Sequence, residues 1–357
     1  LAIAAQSVPS GMILDLEVDS AELGSTPWWA DDVKVSKATS QIKITYSPLQ
    51  VDVGQIQARV NGANIIGTGS ASLIPAGWIS KLNVQIPSLD SKDLLKLWPL
   101  GLKIKSREWF EKNINLGTFK NLSINAKKNV GAQFQFASSF NFENANIKFM
   151  KHMPVISNGS GYGMLEGSTL TVVSQGGHID APEGGRIALK GSVLNIQDTR
   201  IPSPLAQFDV QGSGSISSVL SLLNRKPFEI ANKVEINAAD ISGHVTFEAK
   251  IKSTLKKAVK QGDVSYNVTG VLRNVRTEAL IPEKIILSKS LNFKASPESV
   301  QIFGDGTVSG VPFSGRWTQP LGLAGLSSRI AVQIEISDTS LRNLNIFIPK
   351  EAVSGKA

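Results

Sequence analysis

Three histidines are the first place to look for chemistry in this chain, and His152, His178 and His244 stand far apart in sequence. An imidazole acts as a metal ligand or general base when a partner is held beside it. None of the three has the H-x-x-x-H or H-E-x-x-H spacing that a helix uses for this. Each therefore reads as a polar residue of a strand or loop. A G-x-S-x-G elbow is absent, and "GSGSIS" from Gly212 reads as the cap of a following helix. "GYGMLEG" from Gly161 and "GDGTVSG" from Gly304 carry Gly at relative positions 1, 3 and 7. That is not the dinucleotide-binding spacing, and alternating residues follow rather than a helix, so both read as hairpin turns. Neighbouring acids such as Asp31 with Asp32, or Glu166 with Asp180, arise by chance among 29 carboxylates. The absence of cysteine excludes disulfides and thiolate metal sites. The residues point to a chain that is not an enzyme and needs no metal or cofactor.

The elements that would position any site are strands. Apolar and polar residues alternate strictly in "QIKITYS", "KLNVQI", "AQFQFASSFNFE", "RIALKGSVLNI", "DVSYNVTGV" and "RIAVQIEI", as in a sheet with one buried and one wet face. "VEINAADISGHVTFEAKI" reads as one strand of 18 residues, with Val234, Ile236, Val245, Phe247, Ala249 and Ile251 apolar and Gly243 as a bulge. Of the 31 glycines, those in "NGSGYG", "SQGGHIDAPEGG", "QGSGSI" and "FGDGTVSG" are assigned to turns. Helical spacing appears three times. Asp90 or Ser91 caps "KDLLKLW", Ser106 caps "REWFEKNI", and "SISSVLSLLNRKPF" ends before Pro227. The expected sections are a sheet over residues 1–90, a helical insertion over 91–114, and a continuing sheet over 115–357 with a short helix near 215–224, forming one domain.

The net charge is +8, but the 37 Lys and Arg are scattered and accompany no groove-reading motif. Nucleic acid is therefore not an expected partner. No run of about 18 apolar residues is present to span a bilayer as a helix. The opening "LAIAAQSVPSGM" has neither the basic region nor the apolar core of a signal peptide, and reads as a chain entered part-way.

So few helices cannot cover so many one-sided strands. The sheet must close as a barrel, stack as a sandwich, or curl into a trough whose apolar lining stays open. Periodicity does not choose among these. Phe134, Phe136, Phe140, Phe142 and Phe149 are the sharpest case, because the same stripe serves a filled core or a lipid groove.

A family resemblance bears on that choice. The order is "DLLKLWP", "SREWFEKNINLGTFKNLSI", the aromatic run "FQFASSFNFENANIKFM", "MPVISNGSGYGMLEGSTLTVVSQGGHI", "GSVLNIQD" and "GSGSISSVLSLLNRKPF". It resembles the AsmA-like superfamily, and within it the YhdP branch of Gram-negative envelope proteins. The likeness is best from Leu82 to Lys226 and lies in spacing and residue class. It implies a mainly β fold, with a long, twisted antiparallel sheet curled into an apolar groove. It implies a periplasmic section of a lipid-transfer protein, with phospholipid as ligand, conducted between inner and outer membranes. The inner membrane, through an N-terminal anchor not in this chain, and outer-membrane or other envelope proteins are the implied partners. The groove lining would be Ile42, Ile44, Leu82, Val84, Phe134, Phe136, Phe140, Phe142, Phe149, Leu170, Val172, Ile187, Leu189, Val245, Phe247, Val264, Tyr266, Val332 and Ile334. Leu94, Leu95, Trp98, Trp109 and Phe110 would cover it, with Lys96, Lys103, Lys105 and Arg107 kept wet as a packing face or as a lid over headgroups. The alternative is a structural or adhesin-like β scaffold with a closed core, binding protein or glycan. A glycan-processing β-helix would need carboxylates gathered on one face.

Overall fold

The computed structural model describes residues 1–8, 10–24, 29, 32–101, 104–150, 152–226, 237–256, 263–281, 283–321, 327–335 and 337–344. It is a mainly β, antiparallel structure with a few short helices. The chain divides into two compact units. Unit 1 comprises Leu1–Phe149, Ile156–Gln175 and Asn195–Ile201, so the helical section 91–114 lies inside it. Unit 2 comprises Met150–Val155, Gly176–Leu194 and Pro202–Ala357.

The strands of the first half are β1 (Ala2–Val8), β2 (Gly11–Val18), β3 (Ala21–Leu23), β4 (Val33–Tyr46), β5 (Leu49–Val60), β6 (Ala63–Ile74), β7 (Gly77–Asp90), β8 (Ile114–Lys128), β9 (Gln135–Ile147), β10 (Ile156–Glu166) and β11 (Thr169–Asp180). From β4 to β10 each strand pairs with the next in sequence, while β2 and β3 both pair with β4. Such a meander follows from short turns. At Asn61-Gly62 both residues have positive φ, 47° and 86°, which suits the twist of a two-residue hairpin.

Register turns the alternation into two chemically distinct faces. One cross-strand row reads Leu14, Ile42, Val53, Gly69, Leu82, Ala126, Phe136. The neighbouring row on the other face reads Ile13, Lys43, Asp52, Ser70, Lys81, Lys127, Gln135. Residues directly opposite on neighbouring strands share a face, so a pattern of period two in every strand becomes an apolar sheet on one side only.

The second half adds β12 (Arg186–Leu189), β13 (Val193–Ile196), β14 (Leu205–Ser215), β15 (Ile241–Thr254), β16 (Val264–Thr277), β17 (Ile286–Ala295), β18 (Ser299–Val308), β19 (Val311–Pro320) and β20 (Arg329–Ile334). From β14 to β20 the pairing again runs in sequence order. Its apolar row is Gly212, Phe247, Gly270, Phe293, Ile302, Trp317, Ile330, and the adjoining row of the other face is Gln211, Glu248, Thr269, Lys294, Gln301, Thr318, Arg329. Phe303 is on this polar side, where Lys294 and Arg316 lie over its ring at 5.9 and 5.4 Å.

Four expectations from sequence are corrected. Gly161, Gly163, Gly212, Gly304 and Gly306 sit inside strands, not in turns. For Gly163, Gly212 and Gly306 the reason is aromatic packing, whereas Gly161 lies against the Val173 carbonyl and Gly304 against Leu291. Gly163 faces Phe140, Gly212 faces Phe247, Gly270 faces Phe293 and Gly306 faces Phe313, and a Cβ at any of them would collide with the ring. Glycine lets the phenylalanine lie flat over the neighbouring strand. Secondly, the 18-residue strand does not run through. Val234 and Ile236 lie outside the described residues, a 3-10 turn occupies Ala238–Asp240, and β15 starts at Ile241. The expected irregularity at Gly243 is present, with φ 130° and a register shift between Ser242 and His244. Thirdly, Ser106 is not a cap, because α2 runs from Ile104 to Asn113 and encloses it. Lastly, Asp90 is the N-cap residue of α1 (Ser91–Leu97), but its side chain makes no cap bond. Its carboxylate instead accepts a hydrogen bond from Thr118 Oγ1 at 3.1 Å, across the β7–β8 pair.

Candidate functional site

The candidate site is the apolar face of each unit. In unit 1 the end of the face nearest the β5–β6 turn is closed. Ala63, Ile86, Leu89, Phe119, Leu122, Phe142 and Ala145 are buried there, and Leu94, Leu97 and Phe110 pack onto them from α1 and α2. Rings step down from the helices to the sheet: Trp98 to Phe110 at 6.0 Å, Phe110 to Phe119 at 5.5 Å, and Phe119 to Phe140 at 5.6 Å, all tilted. Arg107 ties the two helices together, donating from Nη2 to the Leu95 carbonyl at 3.3 Å and pairing with Glu111 at 3.5 Å. Its side chain is only 15% exposed, which corrects its assignment as a wet residue. Trp109 points away and is 51% exposed, so it is not part of the cover, whereas Leu97, one turn from Leu94, is. Leu95 and Trp98 are half-buried. Lys96 is paired with Asp93, Lys105 is exposed, and Lys103 lies outside the described residues.

Away from the helices the same face is uncovered. Leu82 is 46% exposed at the centre of its strand, and Trp78 and Leu73, cross-strand partners at the β6–β7 turn, are 50% and 38% exposed. Ile42, Ile44, Val84 and Phe136 are half-buried between these limits. Phe134 is exposed just before β9 begins, and Phe149 is exposed just after it ends. Leu170 is half-buried, and Val172 packs onto the covered cluster.

In unit 2 the covering helix is α3 (Ile216–Leu223), which packs on β12, β14 and β15. Ile216, Val245, Val275 and Leu291 are buried beneath or beside it, with Val219, Leu220, Phe247, Leu272 and Phe293 packed around them. On the side of α3 that meets the Glu183–Gly184 loop and Gly214 the residues are small and the approach is close: Ser218 is fully buried and Ser221 nearly so. Every one of these hydroxyls is satisfied. Ser218 Oγ donates to the Ser215 carbonyl at 2.8 Å, and Ser221 Oγ donates to Glu183 O while accepting from Glu183 N. The cap expected at "GSGSIS" is Ser215, whose Oγ accepts from Ser218 N at 2.9 Å.

Ile187 and Val245 are 1% and 2% exposed and Phe142 in unit 1 is 6%, so a molecule lying on either face would not touch them. Leu189, Phe247, Val264, Tyr266 and Ile334 are half-buried, and Val332 is 47% exposed on β20. Val53 and Ala126 complete the face of unit 1, and Phe293, Ile302 and Trp317 that of unit 2, beyond the residues expected from sequence. Phe293 was legible in the alternation of "LNFKA". Val53 was not, because register shifts between Val53 and Ile56 break the period.

Ionisable groups are sparse on these faces. Tyr266 on the face of unit 2 has its phenol pushed above its ordinary 10.0, by burial first and by the Glu298 charge second. The Arg200 guanidinium holds the Asp198 carboxyl well below the usual carboxylate range, at an exposed site after β13. The histidines remain apart: His178 is 3.6 Å from Asp180, the His152 carbonyl accepts from Arg225, and His244 is exposed on β15. Among the described residues no group of metal-binding side chains comes together, and no helix is long and apolar enough to cross a membrane. What these surfaces offer chemically is apolar contact. No family model, curated protein or solved structure matches the chain.

Proposed function

We propose that this chain is a periplasmic section of a lipid-transfer protein, whose apolar sheet faces hold phospholipid acyl chains and help conduct them between inner and outer membranes. The observation that carries the reading is the half-covered face of unit 1. Leu82 is 46% and Trp78 50% exposed on a face with no charged residue in the row through Ile42 and Phe136. Exposed apolar surface of this kind has a free energy to gain from any apolar ligand, about 0.8 kcal/mol for each methylene removed from water. Acyl chains demand no directional partner, which suits a face built from aliphatic side chains, phenylalanine and glycine. A closed structural scaffold, the competing class, would need a second layer over Leu82 and Trp78. The resemblance to the AsmA-like superfamily supplies the compartment and the two membranes of this proposal.

The test is direct. A photo-crosslinking residue at Phe136 is expected to capture phospholipid from cells, and one at Gln85 on the opposite face is not. Organic extraction of the purified chain followed by mass spectrometry should return phospholipid. A lipid-free preparation together with equal crosslinking at both positions would sink the proposal.

A further inference from the structure

The uncovered end of unit 1 carries a second feature that lipid-chain binding does not require. Three successive turns at that end, β4–β5, β6–β7 and β8–β9, contain no charged residue: Ser47-Pro48, Ile74-Pro75-Ala76-Gly77 and Asn129 to Phe134. The turn residues themselves are ordinary Ser, Pro, Asn and Gly; what is unusual is the apolar side chains beside them. In or beside these turns Tyr46 is 58%, Trp78 50%, Val130 36% and Phe134 56% exposed. The tips are neighbours, since Gly77 lies against the Val130 methyl groups.

Behind the tips stands a cluster of cations. Lys81 and Lys127 are directly opposite on the polar face of β7 and β8, and Lys128, the last residue of β8, stands on the other face at the turn itself. All three are exposed, and none joins an ion pair among the described residues. Like charges at directly opposed positions destabilise a strand pair. An arrangement that costs stability in water is relieved by an external anion. Lys43, in the same row, faces Asp52 and is not counted. Lys81 is three residues behind Trp78, about 10 Å along an extended strand. Aromatic tips with lysines set back by that depth match the layering of a bilayer surface, where Trp and Tyr sit at the interface and long cationic chains reach phosphates.

We infer that this strand end is a docking edge for a lipid bilayer bearing anionic headgroups, with the tips entering the interface and Lys81, Lys127 and Lys128 engaging phosphate. The inference does not rest on acyl chains occupying the sheet face. It therefore fails or stands separately from the proposed function.

The experiment is co-sedimentation of the chain with vesicles of phosphatidylcholine alone and of phosphatidylcholine mixed with phosphatidylglycerol. Binding is expected to the mixed vesicles, weakened by salt. The triple variant Lys81→Glu, Lys127→Glu, Lys128→Glu should bind at least about tenfold more weakly, while Lys250→Glu with Lys252→Glu on the polar face of β15 should bind as the parent does. The absence of cysteine allows a single environment-sensitive fluorophore to be placed at will. At Val130→Cys its emission should shift to the blue on mixed vesicles, and at Asn64→Cys, near the opposite turn, it should not. Failure to sediment with either vesicle overturns the inference, as does undiminished binding by the charge-reversed variant. A concentration-dependent dimer abolished by Trp78→Ser would assign the edge to a second copy and overturn it too. Lipid extracted from the same preparations keeps the two proposals distinct: bound lipid without vesicle binding removes only the docking edge.

Discussion

The two covered sheet ends solve one problem with different side chains. In unit 1 the helices α1 and α2 stand off the sheet and reach it with bulk: Leu94, Leu97 and Phe110, and a file of rings down to Phe140. α2 itself has no fully buried residue. In unit 2 the helix α3 lies close, with Ser218 and Ser221 buried against the fold and hydroxyls bonded to backbone at Ser215, Glu183, Gly184 and Ala238. Gly184 has φ 77°, and a Cβ there would strike Ser217 and the Ser218 amide, so the approach leaves no spare room. The first arrangement gains its stability from apolar area and tolerates repacking. The second fixes position through directed bonds and tolerates almost no added volume.

Substitutions can break or sharpen this contrast. The largest effect is expected in unit 1. Phe119→Ala removes one of the two inner rings of the file, at 6% exposure, and should cost about 3–5 kcal/mol in urea unfolding. A loss below about 1 kcal/mol would mean that the file does not carry the cover. Next, Ser218→Leu adds volume at a fully buried position of α3, and should cost about 1–3 kcal/mol. Stabilisation instead would show that α3 has freedom to lift. A smaller effect, about 1 kcal/mol, is expected for Ser215→Ala, which deletes the α3 cap bond and the bond to the Gly184 carbonyl. The unfolding midpoint should fall with little change in denaturant slope.

The smallest effect concerns Tyr266. Its raised pKa means that the folded state favours the neutral phenol. The associated stability is complete below the unfolded value near 10.0 and is lost as pH rises through the folded one. Absorbance titration of phenolate should show a late step that disappears in Tyr266→Phe. Loss of amplitude from the ordinary step near 10.0 instead of the late one would place Tyr266 in water and remove the burial argued for the face of unit 2.

Much of this is legible in the amino-acid sequence. Alternation at Ile42, Leu82, Val84 and Phe136 identified strands and their apolar side, because a period of two is a local property that no tertiary contact has to supply. The helices near Leu94, Phe110 and Ile216 were visible for the same reason. Reading failed where the period was broken by bulges, as around Val53, and where glycine served a neighbour. Gly163 and Gly212 looked like turn residues because their reason for being glycine is a phenylalanine on another strand. Arg107 looked solvated because its acceptor, the Leu95 carbonyl, is on a different helix.

The sequence alone determined that this is a one-sided antiparallel β chain with short helices around Leu94, Phe110 and Ile216, since alternation and helical spacing are local facts. Only the tertiary structure decided which parts of the apolar side are closed and which are bare. Register brought Phe119, Phe142 and Leu89 together under α1 and α2, yet left Leu82, Trp78 and Tyr46 exposed on the same face. Ile86 and Leu82 alternate on one strand with the same signal, yet the first is closed over at 5% exposure and the second is bare at 46%, because hydrophobicity along a strand records a side of the sheet and not what, if anything, lies over it.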